Sequence, residues 1–304
     1  MRCRPGERTL RWLRALLFCG VTAFWVLALA KNWSAVSAIG LRASPGPLLL
    51  CFLLLVAHST GLAIAWWWLL RSSGVSLPGS SALRSWLIAQ ALRYVPGFLW
   101  DSISKGYTLT KWGTGLSSAS MLAAAELAFG VAGYAAVGSI CWPLARAKRL
   151  LVGNLASVTF VLSIGFLVAT LAPSKIFSKA AQVLHVRDKE TFSVLRLRAA
   201  ALMVHSSLRL LEGIAFAALV SAWQHVTIWD AFALAGTYAY AWLAGFMALF
   251  APAGLGVREL VLYTALSPHM SSAQALFVPA AFRLLSALRD GLMLLVGLLL
   301  PEQS

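Results

Sequence analysis

Glu126 lies in AAAELAFG, a carboxylate among small residues near the middle of an apolar run over 117–140. An ionised side chain at the bilayer centre costs at least ~2.5–3.5 kcal/mol, so one that is kept there is paired, hydrated or functional. Two further apolar runs carry both signs of charge. Over 199–223, His205, Arg209 and Glu212 follow at steps of four and three and share one helical face, where Arg209 and Glu212 can pair. Over 273–300, Arg283, Ser286 and Asp290 share a face in the same way, with Arg289 about 100° away around the helix. Two readings fit these stripes and both can hold: acid–arginine pairs that lock helices together, or faces that line a path for a polar substrate. His58, in LLLVAHSTGLA beside Ser59 and Thr60, reads as a helix–helix hydrogen bonder.

Two segments break the apolar pattern. In QALRYVPGFLWDSISKGYTLTKWG, Pro96 cannot continue a helical ladder, Gly97 permits positive φ, and Arg93, Asp101 and Lys105 surround the break. In LFAPAGLGVRELVLYTALSP, Pro252, Gly254 and Gly256 do the same beside Arg258 and Glu259. Backbone freed at membrane depth must be satisfied by protein or by cavity water, so broken helices point to a transport site. The free N–H groups that begin a half-helix, with an adjacent Arg, suit an anionic group such as a lipid phosphate. The competing reading is a pair of cytoplasmic loops with turn residues.

Motifs for bond-breaking chemistry are missing from the sequence. It has no HExxH, no G-x-S-x-G, no Walker loop and no carboxylate pair at metal spacing. Cys3, Cys19, Cys51 and Cys141 are scattered and read as small core residues. The expectation is a protein that is not an enzyme, with no catalytic residue, cofactor or metal.

The elements that position these residues are membrane helices. Hydrophobic residues make up 60% of the 304 positions and charged ones 12%, against roughly 45–50% and about 25% in soluble domains. Runs near the ~20 residues that cross a ~30 Å core recur at 12–30, 48–70, 117–140, 151–172, 199–223, 228–250 and 273–300. The expected fold is an all-α polytopic membrane protein: seven full transmembrane helices, plus two Pro/Gly-broken re-entrant or half-helix segments at 80–115 and 251–268. The first run also fits a signal peptide, because arginines precede it and it ends in Ala28-Leu29-Ala30. Five N-terminal arginines and a second run soon after favour a retained helix.

A net charge of +15 would point to nucleic acid in a soluble chain, but here the cations sort by side. With both broken segments returning to the side they leave, loops on the N-terminal side (1–14, 71–116, 173–198, 251–270) carry 17 Lys/Arg and the opposite loops 5. This bias places the N-terminus in the cytoplasm of a multi-pass cell-membrane protein. Had 80–115 crossed, the six cations of 173–198 would face outward. Anionic headgroups account for much of the excess, and no nucleic-acid partner is expected. Setting Gly97 opposite Gly254, an offset of 157, also aligns Ala91 with Ala248 and Leu92 with Leu249. On that alignment the single membrane domain 1–304 divides into half-repeats 1–172 and 173–304, running parallel.

At the same segments the chain resembles the transmembrane, flippase-type region of the lysylphosphatidylglycerol synthase family. The family's first signature, Arg/Lys-Tyr-x-Pro-Gly followed by an aromatic, Lys/Arg and Gly, looks like Arg93, Tyr94, Pro96, Gly97, Trp100, Lys105 and Gly113. Its Glu on the next helix looks like Glu126, and its Pro-x-Gly-x-Gly-x-Arg-Glu looks like Pro252, Gly254, Gly256, Arg258 and Glu259. The chain departs from the pattern with Lys105 where many members have Arg, and Ala253 where a second Pro or Gly is common. Full-length synthases append a soluble aminoacyl-transferase domain, whereas only four residues follow Leu300 here. The resemblance therefore implies a stand-alone member that does not make lysyl-lipid alone. It implies a flippase-type handler of membrane lipids, an anionic phospholipid or a polyprenyl-phosphate-linked sugar. The alternative is a non-transporting accessory to a glycosyltransferase or other lipid-modifying enzyme. A homo-oligomer is left open.

Overall fold

The computed structural model describes residues 43–92, 100–150, 191–248, 254 and 256–301, with backbone alone at 191–196. Outside them lie the expected spans 12–30 and 151–172, Cys3 and Cys19, and the candidates Arg93, Tyr94, Pro96, Gly97 and Pro252.

The described residues form eight helices and no strand: α1 (Pro45–Ser72), α2 (Gly79–Ala91), α3 (Trp100–Lys111), α4 (Leu116–Ala147), α5 (Thr191–Val220), α6 (Ile228–Met247), α7 (Val257–Leu266) and α8 (Ser272–Leu299). Local chemistry sets several starts. Pro opens α1, where its missing N–H costs nothing. Reciprocal capping boxes open α6 (Thr227 with Asp230) and α8 (Ser271 with Gln274). Three helices are long and apolar enough to cross a membrane: Pro45–Ser72, Leu116–Ala147 and the Leu197–Val220 part of α5. At 20 and 28 residues, α6 and α8 reach about 30 and 42 Å, enough by length alone. α2, α3 and α7, with 13, 12 and 10 residues, are each about 20 Å or shorter and cannot cross singly.

Contacts at the helix ends fix their directions. At one end of the bundle Ser44 N–H donates to the Ala222 carbonyl (3.1 Å), Lys148 Nζ pairs with Asp230 (2.7 Å), and Ser271 and Gln274 border the same surface pocket as Ser44 and Ala222. His269, just past α7, lies 3.5 Å from the Arg149 carbonyl at that end. At the opposite end Arg84 Nη1 donates to the carbonyls of Leu298 (3.1 Å) and Leu300 (2.6 Å), closing the exposed C-terminus of α8. α1 thus runs from the Ser44 end to the Arg84 end, and α2 and α3 make a hairpin that leaves the Arg84 end and returns to it. α4 and α5 run to the Ser44 end, and α6 and α7 make a second hairpin entering from there. α8 returns to the Arg84 end.

This arrangement corrects two expectations. The broken segments do not return to one common side: their hairpins enter from opposite ends. The two halves are likewise inverted, not parallel. The charge count could not detect this, because Arg258 is the lone Lys/Arg of 251–270. The packing carries the same relation. Exchanging α1 with α5, α2 with α6, α3 with α7 and α4 with α8 maps the packed pairs onto themselves. α1·α5 maps to itself, α4·α6 to α8·α2, α3·α4 to α7·α8, and α4·α5 to α8·α1. Close approach needs small residues: a Cβ on Gly213 would lie 2.7 Å from Ala235 Cα, and one on Gly297 would lie 2.9 Å from Leu87 Cβ.

Candidate functional site

The facing portions of the two hairpins border one cavity of about 210 Å³. The first hairpin contributes Trp86, Gln90, Asp101 and Lys105, and the second Gly245, Ala248, Gly254 and Arg258. Side chains from α1, α4, α5 and α8 complete the wall. At ~30 Å³ per water the space holds about seven waters.

Of the sequence candidates, Lys105, Glu126, Arg209, Glu212, Gly254, Arg258, Arg283 and Asp290 line this cavity. Glu259 and Gly256 stand just behind it. Gly254 and Gly256 both take positive φ (66° and 84°), a conformation open to glycine at little cost. A Cβ on Gly254 would also sit 2.8 Å from Gly245 Cα. The turn ends where Glu259 Oε2 accepts from Gly256 N–H at 2.7 Å, capping α7. The other carboxylate oxygen accepts from Arg283 Nη1 at 2.7 Å, tying the hairpin to α8.

The first hairpin is tied in the same way with reversed polarity. Lys105 Nζ on α3 lies 2.6 Å from Glu126 Oε2 on α4, and Trp86 Nε1 donates to Oε1 at 3.2 Å. Asp101 approaches Lys105 at 3.8 Å, and the rings of Trp66 and Trp86 lie 5.8 and 6.0 Å from its Nζ.

No protein-family model matches the chain, and no curated protein matches it.

A third cluster joins four helices about Glu212. Tyr134 and Tyr238 donate their hydroxyls to its carboxylate, the latter at 3.1 Å, and Arg209 Nη1 lies 3.9 Å away. His58 Nδ1 lies 2.7 Å from the Leu208 carbonyl. A carbonyl only accepts, so Nδ1 carries the proton and the Nε2 lone pair of the neutral ring faces Arg209 Nη1 at 3.3 Å. Glu212 stands 3.5 Å from the same Nε2. The sequence pairing of Arg209 with Glu212 is therefore present, while Arg283 and Asp290, placed on one stripe, have different partners: Glu259 for the first and Arg289 (2.7 Å) for the second. His205 faces away from the cavity and stacks on Phe129.

Two features make the cavity suited to an anion. Arg258 has no carboxylate within 4 Å among the described residues, and its guanidinium lies over the Tyr238 ring at 5.2 Å. Arg289 is 2% exposed and its Nε lies 2.7 Å from Asp290, but among the described residues neither Nε nor Nη1 makes a hydrogen bond. No group of His, Cys, Asp and Glu among the described residues could hold a metal ion. Sequence reasoning passed over Trp86, Tyr134 and Tyr238, because an aromatic in an apolar helix looks like core until its polar tip is seen to meet a carboxylate.

Proposed function

We propose that the protein is a multi-pass cell-membrane transporter of flippase type that takes the anionic headgroup of a lipid into this cavity. Its substrate is then an anionic phospholipid or a polyprenyl-phosphate-linked sugar. The observation that carries this reading is Arg258: a cavity-lining cation with no carboxylate in contact among the described residues, at the start of a half-helix whose glycine turn keeps backbone close to the cavity. A phosphate oxygen can make the direct charged contact that no carboxylate among the described residues makes with Arg258. The volume lies below the roughly 300–1,000 Å³ of drug-sized sites, which suits a headgroup whose acyl chains stay in the bilayer. Opposed hairpins bordering one cavity would give each half a gate toward its own end, the arrangement that alternating access uses. The resemblance to the lysylphosphatidylglycerol synthase transmembrane region supports the same reading, as does the charge bias, which sets the Arg84 end in the cytoplasm.

Translocation of labelled phosphatidylglycerol in proteoliposomes tests it. Arg258→Ala leaves no carboxylate stranded, so the protein should fold normally and lose at least about tenfold in rate, one lost charged hydrogen bond. Equal rates for wild type and variant would sink the proposal. A second reading, an accessory protein for a glycosyltransferase, draws on the interhelical pairs Lys105–Glu126 and Arg283–Glu259, which also serve as pure helix locks. Stoichiometric recovery of such an enzyme, with no lipid movement by the protein alone, would favour it.

A further inference from the structure

We propose that His58 takes up a proton when an anionic headgroup enters the cavity, so that the headgroup and a proton travel together. The inference rests on the headgroup reading above and adds the coupling ion. It starts from charge balance: among the described residues the cavity's cations are Lys105, Arg209, Arg258, Arg283 and Arg289, matched by Asp101, Glu126, Glu212 and Asp290 on the wall and Glu259 behind it. With His58 neutral the set is balanced. A phosphodiester adds a negative charge in a region of low dielectric, and a proton bound nearby restores neutrality.

The geometry singles out His58 as the acceptor. It is 2% exposed, its Nδ1–H is committed to the Leu208 carbonyl, and its Nε2 faces two competing neighbours. Arg209 Nη1 donates to the Nε2 lone pair at 3.3 Å. A headgroup held by Arg258 also draws the Arg209 guanidinium, which has a further buried Nε with no hydrogen-bond partner among the described residues. Once Arg209 shifts, Nε2 is free to accept a proton from solvent, and the resulting Nε2–H donates to Glu212, already 3.5 Å away. The charged and titratable groups facing this site come from every helix around it. These are Tyr134 on α4, Arg209 and Glu212 on α5, Tyr238 on α6, Arg258 on α7 and Arg289 on α8. The charged residue of α2, Arg84, is held on the α8 carbonyls. Glu212 keeps its two tyrosine hydrogen bonds in either state, leaving His58 as the group whose partner changes.

Calorimetric titration of the detergent-solubilised full chain with dioctanoyl phosphatidylglycerol, in two buffers of different ionisation heat near neutral pH, counts protons directly. The expected result is uptake of about one proton per headgroup, with affinity falling up to about tenfold per pH unit as the imidazole deprotonates. His58→Gln keeps a donor for the Leu208 carbonyl and should bind with no proton uptake and no pH dependence. Binding by the wild type without proton uptake would overturn the coupling and leave the headgroup reading standing. Undiminished uptake by His58→Gln would overturn it as well. Absence of binding would overturn both. The deacylated headgroup glycerophosphoglycerol distinguishes the source: uptake with the lipid supports the proposal, whereas uptake with the free phosphodiester alone would overturn the lipid reading. The wild-type pH dependence decides the matter even if the variant fails to fold.

Discussion

Replacing Glu126 with Gln should destabilise the protein by about 3 kcal/mol, the lower end of the ~3–5 kcal/mol lost when a buried ion pair is broken on one side. Lys105 is 1% exposed and Glu126 6%, and their contact is 2.6 Å, so the lysine left behind is held away from bulk solvent. Two features hold the loss to the low end: the Gln amide oxygen still accepts from Trp86 Nε1, and Asp101 remains 3.8 Å from the ammonium. The Trp66 and Trp86 rings keep their attraction for the cation in both proteins. Adding Lys105→Met removes the stranded charge, and apolar replacement of a whole buried pair is often neutral. The double variant should therefore recover most of the stability. Thermal unfolding in mild detergent of wild type, both single variants and the double closes a mutant cycle. A Glu126→Gln protein as stable as wild type, or a double variant less stable than Glu126→Gln, would refute the idea that the pair is buried and mutually dependent.

The helix directions give a topology experiment: a reporter fused after Ser304 and one inserted after Gly74 should register on the same side, the cytoplasmic one, and opposite sides would contradict the inverted hairpins. Gly254→Ala should cost at least about 2 kcal/mol, since a non-glycine pays ~1–2 kcal/mol in the left-handed region and its Cβ would press on Gly245 Cα at 2.8 Å. Gly245→Ala meets its neighbour at 3.3 Å and should lose less in the same thermal assay. Transport by Arg258→Ala and proton uptake by His58→Gln, described above, complete the set.

What the sequence made legible was any residue that broke a local rule. Glu126 stood out because a carboxylate in an apolar helix has a cost, and the PAGLGVRE turn because paired glycines and a proline cannot continue a helix. The partner of Glu126 was not legible: Lys105 is 21 residues away, on the far side of the turn between α3 and α4, and only packing brings α3 against α4. His58 looked like a lone hydrogen bonder because its two decisive neighbours sit about 150 positions further on. Arg289, set apart from its stripe by about 100°, still reaches the cavity. Helix direction was hidden for a different reason. Topology rules read loop charge, and the second hairpin carries its single cation inside, where it reports on the site and not on the side.

The inverted halves are alike in packing but not in charge, and that difference bears on how an anion would act. In the first half the short arm α3 carries the cation, Lys105, and the long helix α4 carries the carboxylate. In the second half the arm α7 carries the carboxylate, Glu259, and α8 carries the cation. An anion in the cavity competes with Glu126 for a cation on an arm, and with Glu259 for a cation on a long helix. Under the proposed function the same ligand would therefore pull the first hairpin toward itself and release the second from its tie. Two gates of equal polarity would respond in the same sense and open or close together. Reversed polarity lets one charge bias them in opposite senses, and opposite responses are the condition for a cavity that faces one side at a time.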